Sequence, residues 1–185
     1  MSSRYLFLDT EWADANAKHL VSLALVSDDG KRCFYAERDP LPTSPTEFVA
    51  RVVYPLLERG AAARRDAVFC CELRAFIGLD TDAFVLFDHT HDGELLLHAL
   101  AGFGLNHEEL AGCVPYARPN MTLMHRDYAM TALMESWFAT HPNDKARRHH
   151  ALVDAHVLRV AFLAVTGRTD VNLWPTYQNL EDVRI

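Results

Sequence analysis

Two carboxylates separated by one residue, Asp9 and Glu11, follow the apolar run Tyr5-Leu6-Phe7-Leu8. Four apolar residues in succession read as a strand buried on both faces. On a strand, positions i and i+2 share a face, about 6.6–6.8 Å apart. Asp9 and Glu11 are therefore expected side by side where a core strand emerges. Like charges so close to a low-dielectric core raise each other's pKa unless a cation lies between them, and a divalent metal answers that need. Further along lie Asp88-His89-Thr90-His91-Asp92 and His149-His150, with Asp154 a few residues on. Four carboxylates and a histidine suit two-metal phosphoryl hydrolysis. The metals, about 3.5–4 Å apart, stabilise the attacking and leaving oxygens while a neutral imidazole takes the proton from water.

These groups need a scaffold to gather them. Leu20 to Val26 reads as a second strand, Asp28-Asp29-Gly30 as a hairpin turn and Lys31 to Ala36 as a third strand. Together they predict an antiparallel meander whose first strand carries the acidic pair. Ser44-Pro45-Thr46-Glu47 looks like a capped helix start. Phe48, Val49, Val52, Val53, Leu56 and Leu57 supply the apolar face of that helix, up to Gly60. Helices are also expected over Arg64 to Ile77, Gly93 to Leu100, Met121 to Phe138 and Ala151 to Val165. Ala83 to Phe87 predicts a buried strand parallel to the first. Gly102 to Pro119 reads as a long irregular connection. The expected fold is a mixed α/β sheet with helices on both faces.

With 185 residues the chain fits one domain, its core spanning about 4–166 with a tail over 167–185. Apolar residues make up 50% and charged residues 23%, an ordinary globular balance. No segment approaches the roughly 18 apolar residues of a membrane helix. The N-terminal residues show no signal-peptide pattern, and Cys33, Cys70, Cys71 and Cys113 lack zinc-type pairing. All four read as reduced thiols, and the expected location is cytoplasmic. A net charge of −7 disfavours broad gripping of long nucleic acid but leaves room for a nuclease whose carboxylates bind cations.

Asp9-Thr10-Glu11, Asp88 to Asp92, and His149-His150-Ala151-Leu152-Val153-Asp154-Ala155 resemble the three motifs of the DEDDh 3′–5′ exonucleases, which include polymerase proofreading subunits and RNase T. Tyr5 to Trp12, followed closely by a hairpin, is most similar to the short stand-alone exoribonucleases of the RNase AS type. The resemblance runs from residue 4 to about 165. It implies an RNase H-like mixed five-stranded sheet, and two Mg²⁺ or Mn²⁺ ions held by Asp9, Glu11, Asp92 and Asp154. It also implies His149 as general base, with Trp12 and Thr10 at the terminal nucleotide. The implied substrate is the 3′ end of single-stranded RNA, with DNA as the alternative, and the implied assembly is a homodimer.

Trp12 can serve for base stacking or for core packing. Within one helix, His149 and Asp154 would point about 140° apart, so His149 can serve only from a loop ahead of the helix, whereas His150 would share a face with Asp154. Family spacing favours His149. Asp88 stands where many relatives carry asparagine and reads as a neighbour of the metal ligand Asp92. Two rival readings are a zinc hydrolase built on His89 and His91, and a nuclease-fold binding domain without catalysis.

Overall fold

The computed structural model describes residues 4–80, 82–124 and 127–169. Trp174 and the rest of the expected tail beyond residue 169 lie outside them. The fold is α/β, a six-stranded mixed sheet with helices packed on both faces. Its strands are β1 (Tyr5–Trp12), β2 (Leu20–Ser27), β3 (Cys33–Arg38), β4 (Ala63–Arg64), β5 (Phe84–Phe87) and β6 (Asn120–Leu123), in the order β4-β3-β2-β1-β5-β6. The first three form the expected antiparallel meander, and β5 runs parallel to β1. The helices are α1 (Asp66–Gly78), α2 (Thr90–Ala101), α3 (Tyr128–Thr140), the short α4 (Pro142–Ala146) and α5 (Ala151–Val165).

Alternation along β1 decides which chemistry faces which helix. Leu6 and Leu8 point to a core shared with Phe69 and Leu73 of α1 and with Leu95, Leu96 and Leu100 of α2. Phe7 points the other way, against Met130 of α3 and Leu158 and Ala161 of α5. By the same alternation Asp9 and Glu11 extend the α5 face, while Thr10 extends the α2 face. Every residue of β2 is buried, as a central strand covered on both sides requires.

The structure departs from the sequence expectations at several points. The sheet has six strands, not five: β4 is a two-residue strand beside β3, and β6 occupies the start of the stretch expected to be one helix from Met121 to Phe138. Asp127 divides that stretch by capping α3, its carboxylate accepting the N–H groups of Ala129 and Met130 at 2.9 and 3.1 Å. Between residues 49 and 56 the chain winds as a π-helix (Val49–Val53) and a 3₁₀ turn (Tyr54–Leu56) instead of one α-helix. Thr46, not Ser44, supplies a capping hydroxyl, accepting the Val49 N–H at 3.3 Å. β3 runs two residues later than expected, which brings Glu37 inside the sheet. The cysteines also need correction: Cys71 and Cys113 form a disulfide, with Cα atoms 4.4 Å apart, while Cys33 and Cys70 remain thiols. Folding of the 102–119 connection back over α1 makes the pair, and a separation of 42 residues hides it in the sequence. With that disulfide the cysteines no longer point to a reducing, cytoplasmic location. Among the described residues, no helix is long and apolar enough to cross a membrane.

Candidate active site

Asp9, Thr10, Glu11, Trp12, Asp88, His89, Asp92, His149 and Asp154 line one cavity of about 460 Å³. Each arrives by a separate local device. Asp9 and Glu11 leave the C-terminal half of β1. A break in the β1–β2 register between Glu11 and Trp12 interrupts the alternation that would otherwise continue to Trp12.

Asp92 comes from the opposite face of the sheet. It sits in the first turn of α2, inside the helix and not ahead of it, and is almost fully buried. One carboxylate oxygen accepts the N–H and hydroxyl of Thr10, at 3.2 and 2.7 Å. The other accepts the His89 N–H at 3.2 Å, while the His89 ring nitrogen accepts the His91 N–H at 3.3 Å. This reciprocal cap fixes both the helix start and the carboxylate. Gly93 permits the close approach of that turn to β5, because a Cβ there would stand 2.8 Å from the Phe87 ring. Thr10, which the motif resemblance gives to the substrate, has its hydroxyl engaged by Asp92.

Asp154 lies in the first turn of α5 and accepts the His149 N–H at 2.9 Å. His150 is the residue ahead of the first helical position, and its ring is buried at 1% exposure. His149 precedes it in a left-handed conformation, with φ 71°. That turn places His149, not His150, on the cavity wall. The loop position required for His149 is thus present, and the reversed backbone removes the 140° conflict.

Ligating atoms gather into two triplets, each within 4.8 Å: Glu11 with His149 and Asp154, and Asp9 with Asp88 and Asp92. Asp88 therefore joins the cluster instead of standing beside it. Trp12 packs against the hydrophobic core and also lines the cavity, its ring 5.2 Å from that of His89. Phe48, expected on a buried helix face, is 50% exposed on the cavity wall, edge-on to His149 at 5.0 Å. Apolar periodicity could not single it out, because the π and 3₁₀ winding breaks the regular helical face. Among the described residues neither His89 nor His91 belongs to a three-ligand cluster, and His91 pairs with Glu94 at 3.1 Å.

Burial and mutual repulsion dominate the electrostatics. Burial, then Asp154, Asp92, Glu11 and Asp88, hold Asp9 well above the usual carboxylate range. Burial, followed by Asp154 and Asp92, raises Glu11 to about 9. Asp92 and Asp154 are pushed up to about 7, chiefly by burial, against the hydrogen bonds from Thr10 and His149 that favour their ionised forms. Burial also raises Asp88. Burial and then the Arg148 charge lower His149, favouring the neutral ring. One oxygen each of Asp9 and Asp154 is buried with no hydrogen-bond partner. Hard oxygen donors, unsatisfied and mutually repelling, fit divalent cations of the Mg²⁺ or Mn²⁺ type. No protein-family model and no curated protein matches the chain.

Proposed function

We propose that the protein is a metal-dependent 3′–5′ exonuclease with an RNase H-like fold, acting on the 3′ ends of short or single-stranded RNA. The observation that carries this reading is the convergence of Asp9, Glu11, Asp92, Asp154 and His149 on one cavity, with buried carboxylate oxygens unsatisfied. The motif order supports the same reading, as does a mixed sheet in which β2 alone runs against the other strands.

In this reading Asp9, Glu11, Asp92 and Asp154 hold two Mg²⁺ or Mn²⁺ ions, with Asp88 adding charge to the Asp9–Asp92 side. The ions, when bound, supply the positive field that stabilises the attacking and leaving oxygens. His149, neutral near pH 7, accepts a proton from the attacking water as the bond from phosphorus to the 3′ oxygen breaks. Thr10 acts through Asp92 by fixing its carboxylate. Trp12 and Phe48 offer aromatic surface to the terminal bases. No Lys or Arg occurs among the described residues lining the cavity, so an anionic substrate depends on the cations for attraction. RNA over DNA follows from the RNase AS resemblance.

The test is digestion of 5′-labelled single-stranded RNA and DNA with Mn²⁺, Mg²⁺, Zn²⁺ or EDTA, with Asp9→Ala as control. A ladder shrinking from the 3′ end, lost with EDTA and in the variant, is expected, with RNA cut faster than DNA. A folded protein inactive with every metal would overturn the reading. Activity with Zn²⁺ alone, indifferent to Asp9, would transfer the chemistry to His89 and His91.

A further inference from the structure

We infer that Arg147 and Glu58 form a positioning latch that holds the His149 loop against the Phe48 segment; its catalytic consequence rests on the exonuclease reading above. Phe48 and His149 belong to parts of the chain a hundred residues apart, yet meet edge-on across the cavity wall. The Phe48 segment is anchored on the sheet by Val49 and Val53, which pack against Val21 of β2, while the His149 loop reaches it through a polar circuit.

The anchor is Glu37, fully buried on β3. Cross-strand register places Glu37 opposite Ser22, and Ser22 opposite Glu11, so one row of the sheet runs from the cavity to the latch. One Glu37 oxygen accepts the Glu58 N–H at 2.6 Å and the Tyr35 hydroxyl at 2.7 Å. The other accepts the Arg59 N–H at 2.9 Å and the Arg59 guanidinium at 3.3 Å. These bonds hold Arg59 at φ 52°, a backbone conformation a non-glycine residue keeps only when its surroundings impose it.

The Glu58 carboxylate then meets Nη2 of Arg147 at 3.2 Å, and the same nitrogen lies 3.1 Å from Nε2 of His150. The His150 ring stacks on Tyr35, centroids 4.6 Å apart and planes 25° from parallel, which closes the circuit back to Glu37. Arg59 also pairs with Asp39 at 2.9 Å, so the circuit holds three carboxylates and two guanidiniums, and the fully buried Glu37 is paired and hydrogen-bonded as a buried charge must be. His149 is the residue before His150, in a left-handed conformation that the circuit and the Asp154 hydrogen bond impose together. Releasing Arg147 frees that turn, and the imidazole leaves its place beside Glu11 and Asp154.

Arg147→Met, Arg147→Lys, Glu58→Gln and the double variant Arg147→Met/Glu58→Gln test the latch. Three readouts apply: kcat and KM on single-stranded RNA, the melting shift induced by Mn²⁺, and the nuclear Overhauser contact between the Phe48 and His149 rings. Arg147→Met and Glu58→Gln are each expected to lose the ring contact and lower kcat by about ten- to a hundredfold. KM and the Mn²⁺ shift should stay near wild type. The double variant should be no worse than the poorer single variant, because both break one link, and Arg147→Lys should restore part of kcat. A retained ring contact with unchanged kcat, or additive losses in the double variant, would overturn the latch. The ring contact requires no activity. An inactive wild type whose variants still lose it would keep the latch and overturn only the exonuclease reading.

Discussion

Glu11→Gln should stabilise the metal-free protein, although it removes a residue from the candidate active site. The carboxyl of Glu11 moves from 4.5 to about 9 because burial and the charges of Asp154 and Asp92 oppose its ionisation. A carboxyl raised in the folded state binds a proton that the unfolded chain has already released. Stability therefore falls as pH rises from about 4.5 towards 9, and below that window the effect vanishes. At pH 8, about 3.5 units above the unfolded value of 4.5, the free-energy difference is about 5 kcal/mol, at about 1.4 kcal/mol per pKa unit. Sharing of protons among five neighbouring carboxyls and water in the cavity reduce this to about 2 kcal/mol. For a chain of this length that corresponds to a rise in Tm of about 4–8 °C. Glutamine keeps the size and carries no charge, so the gain should shrink to nothing near pH 4.5. Mn²⁺ at a hundred times its Kd stabilises the wild type by about 2.7 kcal/mol per site. Glu11→Gln should lose at least one site's share, so the ranking of the two proteins should narrow or reverse when metal is added. Thermal melts of both proteins from pH 5 to 9, with EDTA or Mn²⁺, measure all of this. A metal-free Glu11→Gln protein less stable than wild type at pH 8, with its Mn²⁺ shift intact, would refute the idea that repulsion awaiting a cation governs the cluster.

His149→Ala should lower kcat on single-stranded RNA by about 10²–10⁴-fold while leaving the Mn²⁺ melting shift largely in place, the signature of a lost proton acceptor; single-turnover kinetics beside calorimetric Mn²⁺ titration would check both. Phe48→Ala should raise KM by an amount equivalent to about 1–3 kcal/mol for one lost base stack, with little change in Tm because the ring is half exposed. Cys71→Ser should destabilise the oxidised protein by about 4 kcal/mol, the chain-entropy value for a closed loop of this size, and dithiothreitol should lower the wild-type denaturation midpoint to match. Gly93→Ala should reduce Mn²⁺ affinity before it unfolds the protein, since the added methyl presses on Phe87 and lifts the turn that carries Asp92; a titration of unchanged affinity would detach Asp92 from metal binding.

Local chemistry determined much of this protein. A continuous apolar run ending in two alternating carboxylates allows little besides a central strand delivering an acidic pair. The Asp28-Asp29-Gly30 turn and the apolar run before Asp88 led to the meander and the parallel strand beside it. The same logic brought Asp9, Glu11, Asp92, Asp154 and His149 together as candidates, because their types and motif spacing are properties of the chain. Three-dimensional packing decided the rest. The choice of His149 over His150 at the cavity required a left-handed turn that no propensity announces. Phe48 lines the cavity wall while Val49 and Val53 of the π-helix that follows it turn inward, and Asp88 joined the acidic cluster because β5 ends beside β1. The disulfide and the Glu37 circuit join residues tens to a hundred positions apart. Hydrophobic period and turn chemistry act between near neighbours in the chain, whereas these contacts depend on which surfaces meet after the sheet has closed its core.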